Sequence, residues 1–147
     1  SLRVGWTGAP ASTPRLVAGV QAGAHRTDDA AYTAFLSSSE NCLGALVQAL
    51  RENDTAEISH RIEENRRLLS DLSRTSGITI ETPQLRRLAE IAQEHGAVAK
   101  SSGAGGGDCG IALCPPETDT AAMCAAWEKA GIHPLDLSVH FHPEVTP

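Results

Sequence analysis

The chain has 147 residues, of which 41% are hydrophobic but only 3% aromatic, and its formal net charge is −6. This length suits one domain, spanning residues 1–147, with a core of Leu, Ile, Val and Ala. The acidic balance speaks against a nucleic-acid or anionic-membrane binder, which would carry a basic patch. No apolar run is long enough to span a bilayer, and no secretory h-region opens the chain, so no membrane partner is expected.

From the start of the chain, Leu2, Val4 and Trp6 alternate with Arg3, Gly5 and Thr7, which predicts a strand. Gly8 and Pro10 break it, and Ser12 or Thr13 caps a short helix running to about Ala24. Asp28 opens a long helix with Phe35, Cys42, Leu43, Leu46, Val47 and Leu50 on one apolar stripe, the side a globular helix turns to its core. Asn53-Asp54 ends it. Asp54 with Glu57 resembles a capping box, and the helix that follows carries Ile58, Ile62, Leu69 and Leu72 inward and stops near Gly77. Thr82-Pro83 is a cap followed by Pro at the first helical position, and Gly96 closes that helix after Leu85, Leu88 and Ile91.

The character then changes. Ala97–Ser101 reads as a short strand, a glycine-rich loop follows, and Asp108–Cys114 reads as a second strand closed by Pro115-Pro116. Thr118 or Asp119 caps a helix with Met123 and Trp127, ended by Gly131. Finally Leu135, Leu137, Val139 and Phe141 alternate with Asp136, Ser138, His140 and His142, a half-buried antiparallel strand. The sum is an α+β fold, an antiparallel sheet of about four strands with helices packed on one face.

The loop reads KSSGAGGGDCG from Lys100 to Gly110 and holds five of the chain's 13 glycines. Gly105, Gly107 and Gly110 satisfy G-x-G-x-x-G, but a dinucleotide fold needs a helix after the loop, and here a strand follows. No G-K-[ST] completes a P-loop. Two readings stay open. One is a loose hairpin turn, which needs only one or two glycines. The other is a bare-backbone cradle for phosphate, with Gly103, Ala104, Gly105, Gly106 and Gly107 presenting N–H groups beside the hydroxyls of Ser101 and Ser102.

Other candidates are weaker. His140 and His142 share a strand face, but two ligands are too few for a metal site, so none is expected. Cys109 and Cys114 point to opposite faces of a strand. Without a C-x-x-C pair, the four cysteines read as free thiols of a reducing cytoplasm. Arg66-Arg67 and Arg86-Arg87 read as solvated helix faces. Ser12 and Thr13 read as helix caps, which need no further function.

The segment KSSGAGGGDCGIAL resembles the third sequence motif of the GHMP kinases. VGWTGAPAST at Val4–Thr13, ENRRLL at Glu64–Leu69, IETPQL at Ile80–Leu85 and GIHPLDLSVHFH at Gly131–His142 also resemble that family, in its order. The ending Gly-Gly-Gly-Asp-Cys-Gly is most similar to bacterial members that phosphorylate 5-phosphomevalonate. The family's first two motifs, including the G-L-G-S-S-A loop that holds ATP phosphates, find no counterpart here. The resemblance is therefore to the C-terminal, ferredoxin-like half alone, and it implies an N-terminal ATP-binding half absent from this chain. Ser1 in place of an initiator Met, followed at once by a strand pattern, agrees with a fragment.

The resemblance further implies transfer of the γ-phosphoryl group of ATP, with Mg²⁺, to 5-phosphomevalonate in isoprenoid synthesis. Substrate-side residues would be Ser12, Ser101, Ser102 and the loop from Gly103 to Gly107. Lys100 would add charge if its side chain turns toward the loop. Asp108 would hold Mg²⁺ through water or accept loop N–H bonds and fix the loop's shape. The chain alone is expected to be inactive and to pair as a homodimer through the apolar surface left by the missing half. The alternatives are another GHMP kinase, such as mevalonate kinase, and a non-catalytic stand-alone binding domain.

Overall fold

Nine elements carry the architecture in the computed structural model, which describes residues 1–27 and 29–138. They are β1 (Leu2–Trp6), α1 (Thr13–Thr27), α2 (Asp29–Glu52), α3 (Thr55–Ser76), α4 (Pro83–Glu94), β2 (Val98–Ser101), β3 (Cys109–Leu113), α5 (Thr120–Lys129) and β4 (His133–Leu135). The strands form one sheet in the order β2-β3-β1-β4, and each neighbouring pair is antiparallel. This is the α+β arrangement that the sequence predicts.

Several helix ends follow directly from local chemistry. Asp54 caps α3 by accepting the Glu57 N–H at 3.0 Å, and Gly77 ends that helix in the left-handed conformation at φ 72°. Thr82 caps α4 by accepting the Leu85 N–H at 3.3 Å, with Pro83 at the first position. Asp119, rather than Thr118, caps α5 by accepting the Ala122 N–H. Helix α1 runs past Ala24 to Thr27.

The core lies between the sheet and helices α4 and α5. It is built from Leu88, Ile91, Met123, Trp127 and Ile132 against the small strand residues Ala99 and Ala112. Gly5 and Gly110 are directly opposed on β1 and β3. A Cβ at Gly5 would stand 2.9 Å from Ile132 and 3.0 Å from Leu88, and one at Gly110 would stand 2.7 Å from Leu88. The two glycines thus let α4 press its Leu88 onto bare strand backbone. The Trp127 indole N–H donates to the Leu88 carbonyl at 3.0 Å, which ties α5 to α4.

Two sequence expectations need correction. Leu43, Val47 and Leu50 of α2 are 48%, 46% and 52% exposed, whereas Cys42 and Ala49 are buried. Helix α2 packs mainly along α3 and touches no strand closely. Its apolar stripe is wider than the contact one helix can cover, so the larger residues fall outside. The last strand is His133–Leu135, not one beginning at Leu135, and Asp136–Ser138 are outside any strand. The register pairs Leu135 with Val4, so two residues further on the pairing would already reach Leu2, where β1 begins. The remainder of that expected strand, with His140 and His142, lies outside the described residues, as does Asp28.

Overpacking at the Gly5–Gly110 pair should be felt at once. Gly110→Ala is expected to cost about 1–3 kcal/mol, which thermal denaturation would register as a Tm lower by several degrees. An unchanged Tm would contradict the close approach of α4.

Candidate functional site

The glycine loop joins β2 to β3, and its form is imposed by neighbours. Its neck is closed by the Ser102 N–H donating to the Cys109 carbonyl at 2.9 Å and by the Thr7 N–H donating to the Asp108 carbonyl at 2.8 Å. Its body is held from two sides. The Gly106 N–H donates to the Ile80 carbonyl at 2.7 Å, and the Asp108 N–H donates to the Ala9 carbonyl at 2.6 Å. Four successive residues, Gly105 to Asp108, have positive φ. A Cβ at Gly105 would lie 2.3 Å from the Ile80 carbonyl oxygen, and one at Gly107 would lie 3.0 Å from that of Ala9. Gly103 differs: a Cβ there meets nothing within 4 Å, and its φ is not positive.

The loop N–H groups therefore fall into two sets. Those of Ser102, Gly106 and Asp108 are bonded within the protein. Among the described residues, those of Gly103, Ala104, Gly105 and Gly107 have no acceptor. Gly103, Ala104, Gly105 and Gly107 line a small cleft of about 70 Å³ together with Ala11, Thr13, Ser102, Asp108 and Cys109. Helix α1 begins at this cleft, where the Ser12 carbonyl accepts the Leu16 N–H at 3.1 Å as the first helical bond. A helix N-terminus and bare loop N–H groups both present positive dipole ends, which favour negative charge nearby. It has room for a phosphoryl group and none for a nucleoside.

Of the residues singled out in the sequence, Ser102, Gly103, Ala104, Gly105, Gly107 and Asp108 meet here. The others are placed differently. Thr13, not Ser12, lines the cleft. Ser101 is buried, and its hydroxyl donates weakly to the Gly103 carbonyl at 3.5 Å. Gly106 supports the loop from behind, its Cα facing Leu16. The Lys100 ammonium donates to the Ser101 carbonyl at 2.7 Å and does not line the cleft. Burial pushes its pKa down. Lys100 alternates with Ala99 and Ser101 along β2, which turns its side chain away from the core face. Among the described residues the exposed Asp108 carboxylate accepts the Cys109 thiol, at 3.7 Å, and no loop N–H. The shape is fixed by carbonyls instead. Ile80 and Ala9 act through their main chains, so no side-chain signal in the sequence marks them.

A larger cavity of about 400 Å³ lies between α3 and α4 and includes Arg66, Arg67, Arg86, Glu63 and Glu81. Arg66 and Arg86 are not simply solvated. Arg66 grips Glu81 through two bonds of 2.8 and 2.9 Å, and Arg86 approaches the same carboxylate at 3.5 Å. The Arg66 guanidinium holds the Glu81 carboxyl below the usual carboxylate range. All four cysteines are free.

A family model described as GHMP kinases C terminal matches residues 46–133, more than half of the chain. The chain belongs to the GHMP kinases. A phosphomevalonate kinase from Streptomyces sp. (strain CL190) is 40% identical over 140 residues, which is 94% of this GHMP kinase domain and 37% of that protein. The domain thus spans a little over a third of that relative's length. The Lin0012 protein from Listeria innocua superposes with a TM-score of 0.87 at 38% identity, over 92% of this chain and 38% of that one. Streptococcus pneumoniae phosphomevalonate kinase, solved in complex with phosphomevalonate and AMPPNP, superposes with a TM-score of 0.74 at 36% identity, over 90% and 37% of the two chains.

Glu81 also makes a pH prediction. Its folded-state pKa is lowered, so its contribution is present above the ordinary glutamate value of about 4.3 and is lost as pH falls through the lowered folded value. The Tm difference between the natural chain and Glu81→Gln should be larger at neutral pH than in strong acid. Equal differences at both would contradict the ion pair.

Proposed function

We propose that this domain supplies the acceptor-phosphate side of a phosphomevalonate kinase, which transfers the γ-phosphoryl group of ATP to 5-phosphomevalonate and yields diphosphomevalonate and ADP. The substrate is suggested by the Streptomyces and Streptococcus relatives. The observation that carries the reading is the set of residues Gly103, Ala104, Gly105 and Gly107, whose N–H groups have no acceptor among the described residues and which line a phosphate-sized cleft at the start of α1. The nucleotide would be held chiefly by the part of the enzyme that this chain does not span.

The chemistry fits such a cradle. The nucleophile is a phosphate oxygen, and a phosphate monoester with a second pKa of about 6 is already largely dianionic at neutral pH. No strong general base is needed. The barrier is the approach of two anions, so catalysis consists of alignment and charge stabilisation. Backbone N–H groups provide both without side-chain bulk. They need no reorganisation, because the loop is already tied to Ile80 and Ala9.

Among the described residues no cluster of three metal-ligating side chains exists. Mg²⁺ needs no such cluster, because it takes one or two carboxylates and completes its shell with phosphates and water. Asp108, exposed at the cleft, is the residue of this chain that would hold it. The ion would neutralise charge on the transferring phosphoryl group. Lys100 is assigned no contact with substrate, because it does not line the cleft.

Gly103→Ala is the discriminating variant, since its methyl group enters open space in the folded protein. In the complete enzyme kcat/KM should fall by about a hundredfold, while the Tm stays within about a degree or two. Wild-type turnover by this variant would remove the close backbone approach on which the reading depends.

A further inference from the structure

The segment between α3 and α4 is clamped along its length. The Ser73 hydroxyl donates to the Ile78 carbonyl and accepts the Ile80 N–H at 3.3 Å. Ile80 is 3% exposed. The next residue, Glu81, receives both arms of the Arg66 fork at 2.8 and 2.9 Å. Thr82 then caps α4. The one carbonyl between these anchors, that of Ile80, points at the glycine loop. It takes the Gly106 N–H at 2.7 Å and fills the space where a Cβ at Gly105 would be.

We propose that Arg66 and Glu81 are positioning residues for the phosphate cleft, holding the Ile80 carbonyl against Gly105-Gly106 and thereby setting where the free loop N–H groups point. The proposal rests on the anion-cradle reading above for its catalytic meaning. Neither side chain lines the cleft, so both act only through the main chain of Ile80. A forked guanidinium–carboxylate pair fixes orientation as well as distance, which a single-point ammonium contact cannot do. The fork is half-buried, at 26% and 19% side-chain exposure, so water competes with it less than with the open Arg74–Asp71 pair at 75% and 65%. Arg86 reaches the same carboxylate from α4 at 3.5 Å but is 64% exposed, so it is the looser partner.

The test uses Glu81→Gln and Arg66→Lys with two readouts. The first is native-state hydrogen exchange of the Gly106 amide, without ligand, measured against the core amide of Ile132, which donates to the Trp127 carbonyl. Gly106 should exchange about tenfold faster in both variants, while Ile132 is unchanged. The second is steady-state kinetics of the complete enzyme, where kcat should fall by about ten- to a hundredfold with the KM for ATP little altered. Unchanged Gly106 exchange, or equal acceleration at Gly106 and Ile132, overturns the positioning role. Faster Gly106 exchange with unaltered kcat overturns its link to the chemistry. Failure of the kinase reading itself would show separately, as an unmodified complete enzyme that transfers no phosphoryl group to 5-phosphomevalonate.

Discussion

The approach of two backbone carbonyls to a loop without side chains is the constraint on which the site depends. The Ile80 carbonyl takes the Gly106 N–H, and the Ala9 carbonyl takes that of Asp108. Neither could come so near if Gly105 or Gly107 carried a Cβ. Glycine is costly in a folded chain because it gives up the most backbone freedom. Here that cost is offset by two contacts that hold the loop in place and leave the N–H groups of Gly103, Ala104, Gly105 and Gly107 without an acceptor among the described residues. The β1–α1 connection holds the loop from one side through Thr7 and Ala9, and the α3–α4 connection holds it from the other through Ile80.

The proposed anion site is compatible with a net charge of −6. The field at a cleft of this size is set by groups within a few ångströms, and more distant surface charges are screened beyond about 8 Å at physiological ionic strength. Dipole ends of fixed backbone amides are partial charges that the protein cannot lose by titration. The neighbouring basic side chains are committed elsewhere: Arg66 to Glu81, and Lys100 to the Ser101 carbonyl. In the proposed site, recognition falls to the main chain, and side chains hold that main chain in place.

Much of the fold was legible in the sequence because its signals are local. Asp54, Thr82-Pro83, Gly77 and Asp119 mark helix ends through hydrogen bonds within four residues. The glycine hairpin was legible because no helix pattern follows it. What was not legible depends on partners distant in the chain. The stripe on α2 gave no sign that Leu43, Val47 and Leu50 would remain half exposed, since that depends on the width of α3. The length of β4 depends on where β1 begins. In the site, the motif was visible but the division of its N–H groups was not, because the acceptors at Ile80 and Ala9 are carbonyls that any residue would carry. Asp108 and Lys100 drew attention as charges, yet Lys100 lies outside the cleft and the Asp108 carboxylate takes no part in shaping the loop.

The most direct measurement is a ¹⁵N amide titration of the loop with 5-phosphomevalonate. The account predicts that the resonances of Gly103, Ala104, Gly105 and Gly107 move downfield together along one saturating curve, while those of Gly106 and Asp108, already bonded to Ile80 and Ala9, move far less. Shifts centred on Gly106 and Asp108, or on the arginine-lined cavity between α3 and α4 with the loop silent, would contradict it.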